Sequence, residues 1–505
     1  MRFIVQMKRK LEDNWILVLL GILVFDVLLY CFSQGIEGND FWWHVKAGEW
    51  IVQNKQVPKT DIFSWYGQEK QLAWVAHEWL AEVCFYFLFS WGGEMGIYIF
   101  ALGMAMILLI LVFLIIHKKI KKNMLIAGIY MVLFAVVCSF FFYGRPHIFS
   151  YFLLLAELKC LYDFYENVES KKIYWIPVIA CLWSNLHGGS SGLSYVLCVL
   201  LMISGMFKLE CVRIVTVRFN KTQIMKLTIV TFASIVALLC NPLGVDVLVY
   251  PYKNLSDMIS MKYINEWQVP DAKQWGAIVL YFLPIVLVSV GIITEQVKVR
   301  LWDLVVMLLF LFLFMRSARF IILWYIAAAF YAPNYFPKCR LKPISMLYEK
   351  VLLMFVIFGL VISGIIMGVQ IRVNLSSDDI IKKNLSQSAI NMIKGEKSKR
   401  VFNDYNISDI MIFNDIPVFF DSRADLFSEC GALEDGFELL SLSPNMIKYK
   451  GTGMYVEEMI EKYGFEAFLI EKQRPLYFYL VSHPERFGLR YEQENVAYFQ
   501  VLNIN

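Results

Sequence analysis

The chain has 505 residues, 58% hydrophobic and 16% aromatic, with only 18% charged and a mean hydropathy of +0.55. An ordinary soluble domain is about 45–50% apolar with about 25% charge, so composition excludes a chain built only of such domains. The formal net charge of +4 is small and gives no reason to expect a nucleic-acid partner. The apolar excess is arranged in blocks of roughly 20 residues, enough to cross a hydrocarbon core about 30 Å thick. That is the pattern of a polytopic integral membrane protein. Ten cysteines are scattered without metal-ligand spacing and read as small buried hydrophobes.

Taken in order, Arg2, Lys8, Arg9 and Lys10 precede an apolar stretch over 15–32 that lacks a small-residue cleavage site. It reads as a retained signal-anchor and first span, with one acid, Asp26, inside it. Residues 34–94 then form a long first outer loop. Between 39 and 78 it concentrates Asp40, His44, Asp61, His77 and Glu78 among several tryptophans. Long loops with such content are commonly functional. Residues 78–91 are apolar but too short to span, and Gly92-Gly93 ends them, which predicts an interfacial or re-entrant helix. Further spans are expected at 96–116, 123–143, 148–165, 173–188, 190–207, 226–241, 276–294, 301–315, 318–335 and 349–369, about eleven in all.

Lysine and arginine cluster at the N-terminus and at 117–122, 169–172, 208–226, 295–300 and 337–350, alternately between spans. The positive-inside rule places these at the cytoplasmic face, with the N-terminus. The other face then receives the first loop, GRPH (144–147), SNLHGGSSG (184–192), NPLG (241–244), INEW (264–267), RSAR (316–319) and everything after residue 370. Five of six histidines, His44, His77, His147, His187 and, in the tail, His483, fall there as well, so the outer face is where chemistry is expected.

Residues 371–505 are richer in charge, and their short apolar runs alternate with helical patterns. Strands are expected in 399–405, 416–427, 465–472 and a closing pair within 490–502, with helices at 455–463 and 475–481. The fold class is a mainly α membrane bundle (1–370) followed by a small extracytoplasmic α/β domain (371–505). In the tail, Asp404, Asp421 and Arg423 read as exposed-loop residues at strand ends that pair internally.

Helical spacing over 40–54 would place Asp40, Trp43, His44 and Ala47 on one face, with Asn39 or Asp40 as N-cap. The plain reading makes Asp40 that cap and the tryptophans an interfacial belt. The functional reading is group transfer. Moving a sugar from a lipid phosphate onto a hydroxyl needs one base for the acceptor proton, while the phosphate departs as a stable anion. A carboxylate plus cations for the phosphate suffices. Asp40 is the leading base, with Asp61 and Glu78 as rivals and His44 as its partner. Arg145, His147, His187, Arg316 and Arg319 are candidates for the donor phosphate. Trp43, His77, Asn185 and Glu266 are candidates for sugar or acceptor contact.

The string D-x-WWH-x-x-x-G-x-W-I from Asp40, with P-x-T-D-x-F-S (58–64) and H-E-W-L-x-E-V (77–83), resembles a bacterial family of multispanning glycosyltransferase-like proteins. RPHIFS, WSNLHGG, NPLG, INEW and DSRADLF resemble its later blocks. That family is similar in layout to the GT-C superfamily of polyprenyl-phosphate-sugar-dependent transferases, protein mannosyltransferases included. The resemblance implies an inverting transferase in the bacterial cytoplasmic membrane. Its donor would be polyprenyl-phosphate-linked, its acceptor a glycan, lipid or protein, and an acid in the first outer loop, here Asp40, its base. It leaves the sugar open. GT-C enzymes often carry adjacent acids, whereas Asn39 and Phe41 flank Asp40. Two alternatives stay open: a metal-dependent hydrolase or phosphotransferase acting on lipid headgroups through Asp40 and several histidines with a divalent cation, and a lipid or sugar transporter.

Overall fold

The structure is a computed structural model that describes residues 40–120, 124–336 and 385–502, except positions 143, 209, 212, 272, 274, 296, 444–450 and 494, together with residues 365 and 369. The first expected span with Asp26, and most of the last, lie outside the described residues. The chain is mainly helical and divides into two compact units. One comprises 1–36, 94–241 and 266–374, the other 37–93, 242–265 and 375–505. The first-loop segment thus folds with the tail rather than with the apolar segments that flank it in sequence.

In the first of these units, helices occupy most of the expected apolar segments: Met124–Phe141, His147–Glu166, Leu193–Met206, Lys221–Leu238, Trp275–Glu295 and Leu301–Arg316. Two segments are composite. Expected span 173–188 is a 3-10 turn, Lys171–Trp175, running into an 11-residue helix, Ile176–Leu186. Pro177 opens that helix, and the extended backbone of His187 closes it. Expected span 318–335 is a helix, Ile321–Tyr331, between two 3-10 turns, and every one of its residues is buried. A helix apolar on all sides must be enclosed by others. Among the described residues, three helices are long and apolar enough to cross a membrane: Trp79–Lys119, Gly188–Met206 and Lys221–Leu238. The short strands β1 (Glu210–Cys211), β2 (Ile214–Val215) and β3 (Val299–Arg300) form a small ribbon in the order β1-β2-β3.

The other unit is built on a four-stranded sheet of β4 (Val401–Asn403), β5 (Ala467–Glu471), β6 (Phe487–Glu492) and β7 (Val496–Val501), in the order β4-β5-β7-β6. β4 is parallel to β5, and the other pairs are antiparallel. Helices Thr452–Tyr463 and Pro475–Ser482 lie where the pattern predicts them. The strand expected over 416–427 does not form. The Asn403 side chain accepts from Phe419 N (2.6 Å) and donates to Phe420 O (3.0 Å), while Val418 O accepts from Trp65 N (2.9 Å). With those backbone groups already satisfied, the stretch does not join the ladder and turns into a short helix, Ala424–Ser428. First-loop aromatics complete the core. Trp65 packs on Phe419 and Phe465, and its indole N–H donates to Val401 O (3.1 Å). Trp42, Trp43, Trp65 and Trp74 are all buried, so these tryptophans are core residues of a folded unit and not an interfacial belt.

Candidate functional site

Helix Phe41–Asn54 presents Trp43, His44, Ala47 and Ile51 to the interior. It can lie against the start of helix Trp79–Lys119 because position 48 is glycine. A Cβ there would stand 2.1 Å from the carbonyl oxygen of Glu82. That second helix bends at Gly93, whose φ of 57° interrupts it where the short apolar helix was expected to end.

Asp40 is half-buried and occupies the N-cap position, but its side chain makes no capping hydrogen bond. The tail does that work. The buried Asp409 carboxylate accepts from Trp42 N, in the helix's first turn, and from Ile410 N (2.8 Å). Burial, reinforced by the Asp40 charge, pushes the Asp409 carboxyl well above the usual aspartate range. The capping role expected for Asp40 therefore belongs to Asp409, which nothing in the local sequence flags.

Next to this helix start, His44 lies between two carboxylates. Its Nδ1 is 3.3 Å from Glu82 Oε1, and its Nε2 is 3.7 Å from Glu78 Oε2. His77 Nε2 is 3.6 Å from the other Glu78 oxygen, its Nδ1 meets Val75 O at 3.1 Å, and its ring lies tilted against Tyr250, centroids 4.0 Å apart. The Trp43 ring lies tilted against His44, centroids 3.7 Å apart, and its indole donates to Ser422 Oγ (2.9 Å). Trp43, His44, His77 and Glu78 thus gather in one place, joined by Glu82. Its spacing of four from Glu78 on a helical stretch was the available signal.

Asp61 is committed elsewhere. Its carboxylate accepts from Phe63 N (3.1 Å), Ser64 N (3.2 Å) and the Ser64 hydroxyl, and it pairs with Arg423 Nη2 at 2.8 Å. Arg423 also holds Asp421 bidentately, with contacts of 2.9 and 2.6 Å. The rings of Trp74 and Phe63 lie 4.6 and 5.1 Å from its guanidinium. Burial opposes the guanidinium charge, but Asp421 and Asp61 outweigh it and hold Arg423 charged beyond its ordinary range. The loop pairing expected of Asp421 and Arg423 is present, but both are buried rather than exposed, as is Asp404, which takes a bidentate pair from Arg474 at 2.7 Å.

In the other unit, three sequence-distant motifs meet. Arg145 of GRPH donates to Glu266 of INEW at 2.7 Å. Arg319 of RSAR lies 4.3 Å over the Trp267 ring. Two hydrogen bonds fix this meeting: Ser317 Oγ donates to Glu266 O (3.1 Å) and Ala318 N to Gln268 O (3.0 Å). Burial pushes the Glu266 carboxyl up, but Arg145, Arg319 and His147 together pull harder and bring it down to about 2. Two guanidinium groups around one carboxylate leave an excess of one positive charge. Arg316 closes helix Leu301–Arg316 just before the turn that carries Arg319.

His187 and Asn185 serve a separate network. His187 Nδ1 meets Ser150 Oγ (2.7 Å) and Ser190 Oγ (2.9 Å), and Trp183 donates to Ser150 at 2.7 Å. The Asn185 amide donates to Cys181 O (2.8 Å) and Cys240 O (2.9 Å), while Asn241 returns a bond to Ser184 O (2.6 Å). These contacts tie WSNLHGG to NPLG.

No protein-family model matches the chain, and no curated protein matches it. Solved structures do. The oligosaccharyltransferase of Archaeoglobus fulgidus, tethered to an acceptor peptide containing the NVT sequon, aligns with a TM-score of 0.51 at 10% identity. That alignment covers 98% of this chain and 74% of that one. The chain shares the fold of that structure. The apo form of the enzyme gives 0.47 at 10% identity, covering 91% of this chain and 70% of that one. Archaeal oligosaccharyltransferase AglB from the same organism, with an inhibitory peptide and a dolichol-phosphate, gives 0.49 at 9% over the same shares.

Proposed function

We propose that this protein is a membrane glycosyltransferase that moves a sugar from a polyprenyl-phosphate-linked donor to an acceptor hydroxyl, with inversion. The fold shared with an oligosaccharyltransferase supports the reaction class, although a fold by itself does not carry a function. The observation that carries the proposal is at Asp40. The half-buried acid stands at the start of helix Phe41–Asn54 in the first loop, whose first turn Asp409 caps.

Asp40 takes the acceptor proton as the hydroxyl oxygen bonds to the anomeric carbon. The bond from that carbon to the phosphate oxygen breaks, and the phosphate leaves with the electron pair. Cationic groups that accept the departing phosphate would favour this step. Asp61, already bound by several donors, is assigned to structure.

The multispanning arrangement, with about eleven spans and the first loop and tail outside the cytoplasm, belongs to the same proposal, as does the bacterial cytoplasmic membrane. The test is Asp40→Asn in reconstituted protein given polyprenyl-phosphate-linked sugar. Transfer should fall about 10²–10⁴-fold with melting behaviour unchanged. Transfer at the wild-type rate would remove Asp40 from the role.

A further inference from the structure

Two cysteines that the proposed transfer leaves unused stand just before WSNLHGG and NPLG, the motifs that the Asn185 network ties together. Helices Ile176–Leu186 and Lys221–Leu238 pack against each other. Cys181 lies inside the first, and Cys240 lies just beyond the end of the second. One side chain spans the backbone of both: the Asn185 amide donates to Cys181 O at 2.8 Å and to Cys240 O at 2.9 Å. Cys240 N donates to Ala237 O (3.1 Å), and Asn241 reaches back to Ser184 O (2.6 Å), so the chain is held on either side of Cys240. The Cys181 and Cys240 thiols are in hydrogen-bond contact with each other. Packing does not explain the pair. Cys138, Cys160 and Cys198 in the same unit are buried, as small core hydrophobes are, whereas Cys181 is half-buried and Cys240 exposed, and both are free thiols.

We propose that Cys181 and Cys240 are a dithiol modification site, which a disulfide-bearing oxidant closes to a disulfide between these two helices. Cys240, the more accessible thiol, attacks first. Its thiolate bonds to one sulfur of the oxidant, whose S–S bond breaks, and the other sulfur leaves as a thiolate. The Cys181 thiolate then attacks the Cys240 sulfur of this mixed disulfide. The Cys181–Cys240 bond forms, and the second sulfur of the oxidant is expelled. The two protons given up by the cysteines end on the two thiols of the oxidant, so the protein loses two electrons and the oxidant gains them. The outward placement read from the positive-inside pattern puts both motifs where thiols are not held reduced. The pair does not depend on the proposed transfer reaction. Its bond would make covalent a junction otherwise held by the amides of Asn185 and Asn241.

Oxidised glutathione is the probe. Full-length protein in detergent is reduced, freed of reductant, incubated with oxidised glutathione, then denatured and alkylated with a maleimide. The reduced chain should take ten maleimides, one for each cysteine. The oxidised chain should take two fewer, with positions 181 and 240 recovered in one linked peptide. It should also melt at a higher temperature, and dithiothreitol should undo both changes. Cys181→Ser should stop at the intermediate, with Cys240 carrying glutathione. Cys430→Ser, which removes a half-buried thiol of the other unit, should give the same linked peptide as wild type. The linked peptide is read in wild type, so the decision stands even where a variant fails to fold. Ten maleimides after oxidation of wild type, or wild-type Cys240 joined to glutathione instead of to Cys181, would mean that the two sulfurs cannot reach bonding geometry and overturns the proposal.

Discussion

At the scale of single residues, Asp61, one of the two acids expected to rival Asp40, is held by Arg423 and by its own loop. Asp61 and Asp421 share one buried guanidinium, so Arg423→Met would leave two buried carboxylates without a cation. Removing one side of such a pair costs about 3–5 kcal/mol, and the melting temperature of the purified protein should fall accordingly. Arg423→Lys should recover little of it, because one ammonium cannot reproduce the bidentate contact with Asp421. Asp409 gives a pH signature. Its carboxyl is raised in the folded protein, while the unfolded chain releases that proton near 3.9. Between those two values the folded state holds more protons, so stability falls as pH rises and the full penalty remains above the raised value. Asp409→Asn keeps an acceptor for Trp42 N and abolishes this slope. Its melting temperature relative to wild type should climb as pH increases from 4. A constant difference across pH would show that Asp409 is already ionised.

At the scale of elements, apolar periodicity located helices well because burial, the quantity it reports, is what holds them. Segment 148–165 became His147–Glu166, and 301–315 became Leu301–Arg316. It failed at 416–427, where the partners of the backbone are the Asn403 side chain and residues of the first loop, more than 350 positions away. No window around Val418 contains that information. The packing of helix Phe41–Asn54 was half visible. Spacing gave the buried face, but the role of Gly48 needs the neighbouring helix. Gly48→Ala places a methyl group against a backbone oxygen and 2.9 Å from Tyr86 Cβ, neither of which can rotate away. The helices must separate, at about 1–3 kcal/mol or more. Thermal melting should report it, and an unchanged midpoint would mean that the helices lie farther apart than described.

At the scale of the whole molecule, the sequence divides at residue 370 because charge rises there, whereas the folded chain groups 37–93 and 242–265 with 375–505. Composition records where a segment would be soluble and not which partner completes its core. Of the candidate site, Arg145, Glu266 and Arg319 could be singled out as motif residues, but their meeting depends on a loop turn joined to a helix end by one side-chain and one backbone hydrogen bond. The same logic gives a test of the tail. Trp65 lies against Phe419 and Phe465, Tyr66 against Tyr463, and Tyr263 stacks on Phe437 at 5.0 Å. Expressed alone, residues 375–505 would expose those aromatic faces and lose the partner of Val418 O. The fragment should therefore unfold without a cooperative transition and bind a hydrophobic dye, as a compact state without fixed packing does. Joining 37–93 to it through a flexible linker should restore near-UV circular dichroism and a sharp melt. A sharp melt from the tail alone would mean that its sheet is a self-sufficient domain, with the first loop merely resting on it.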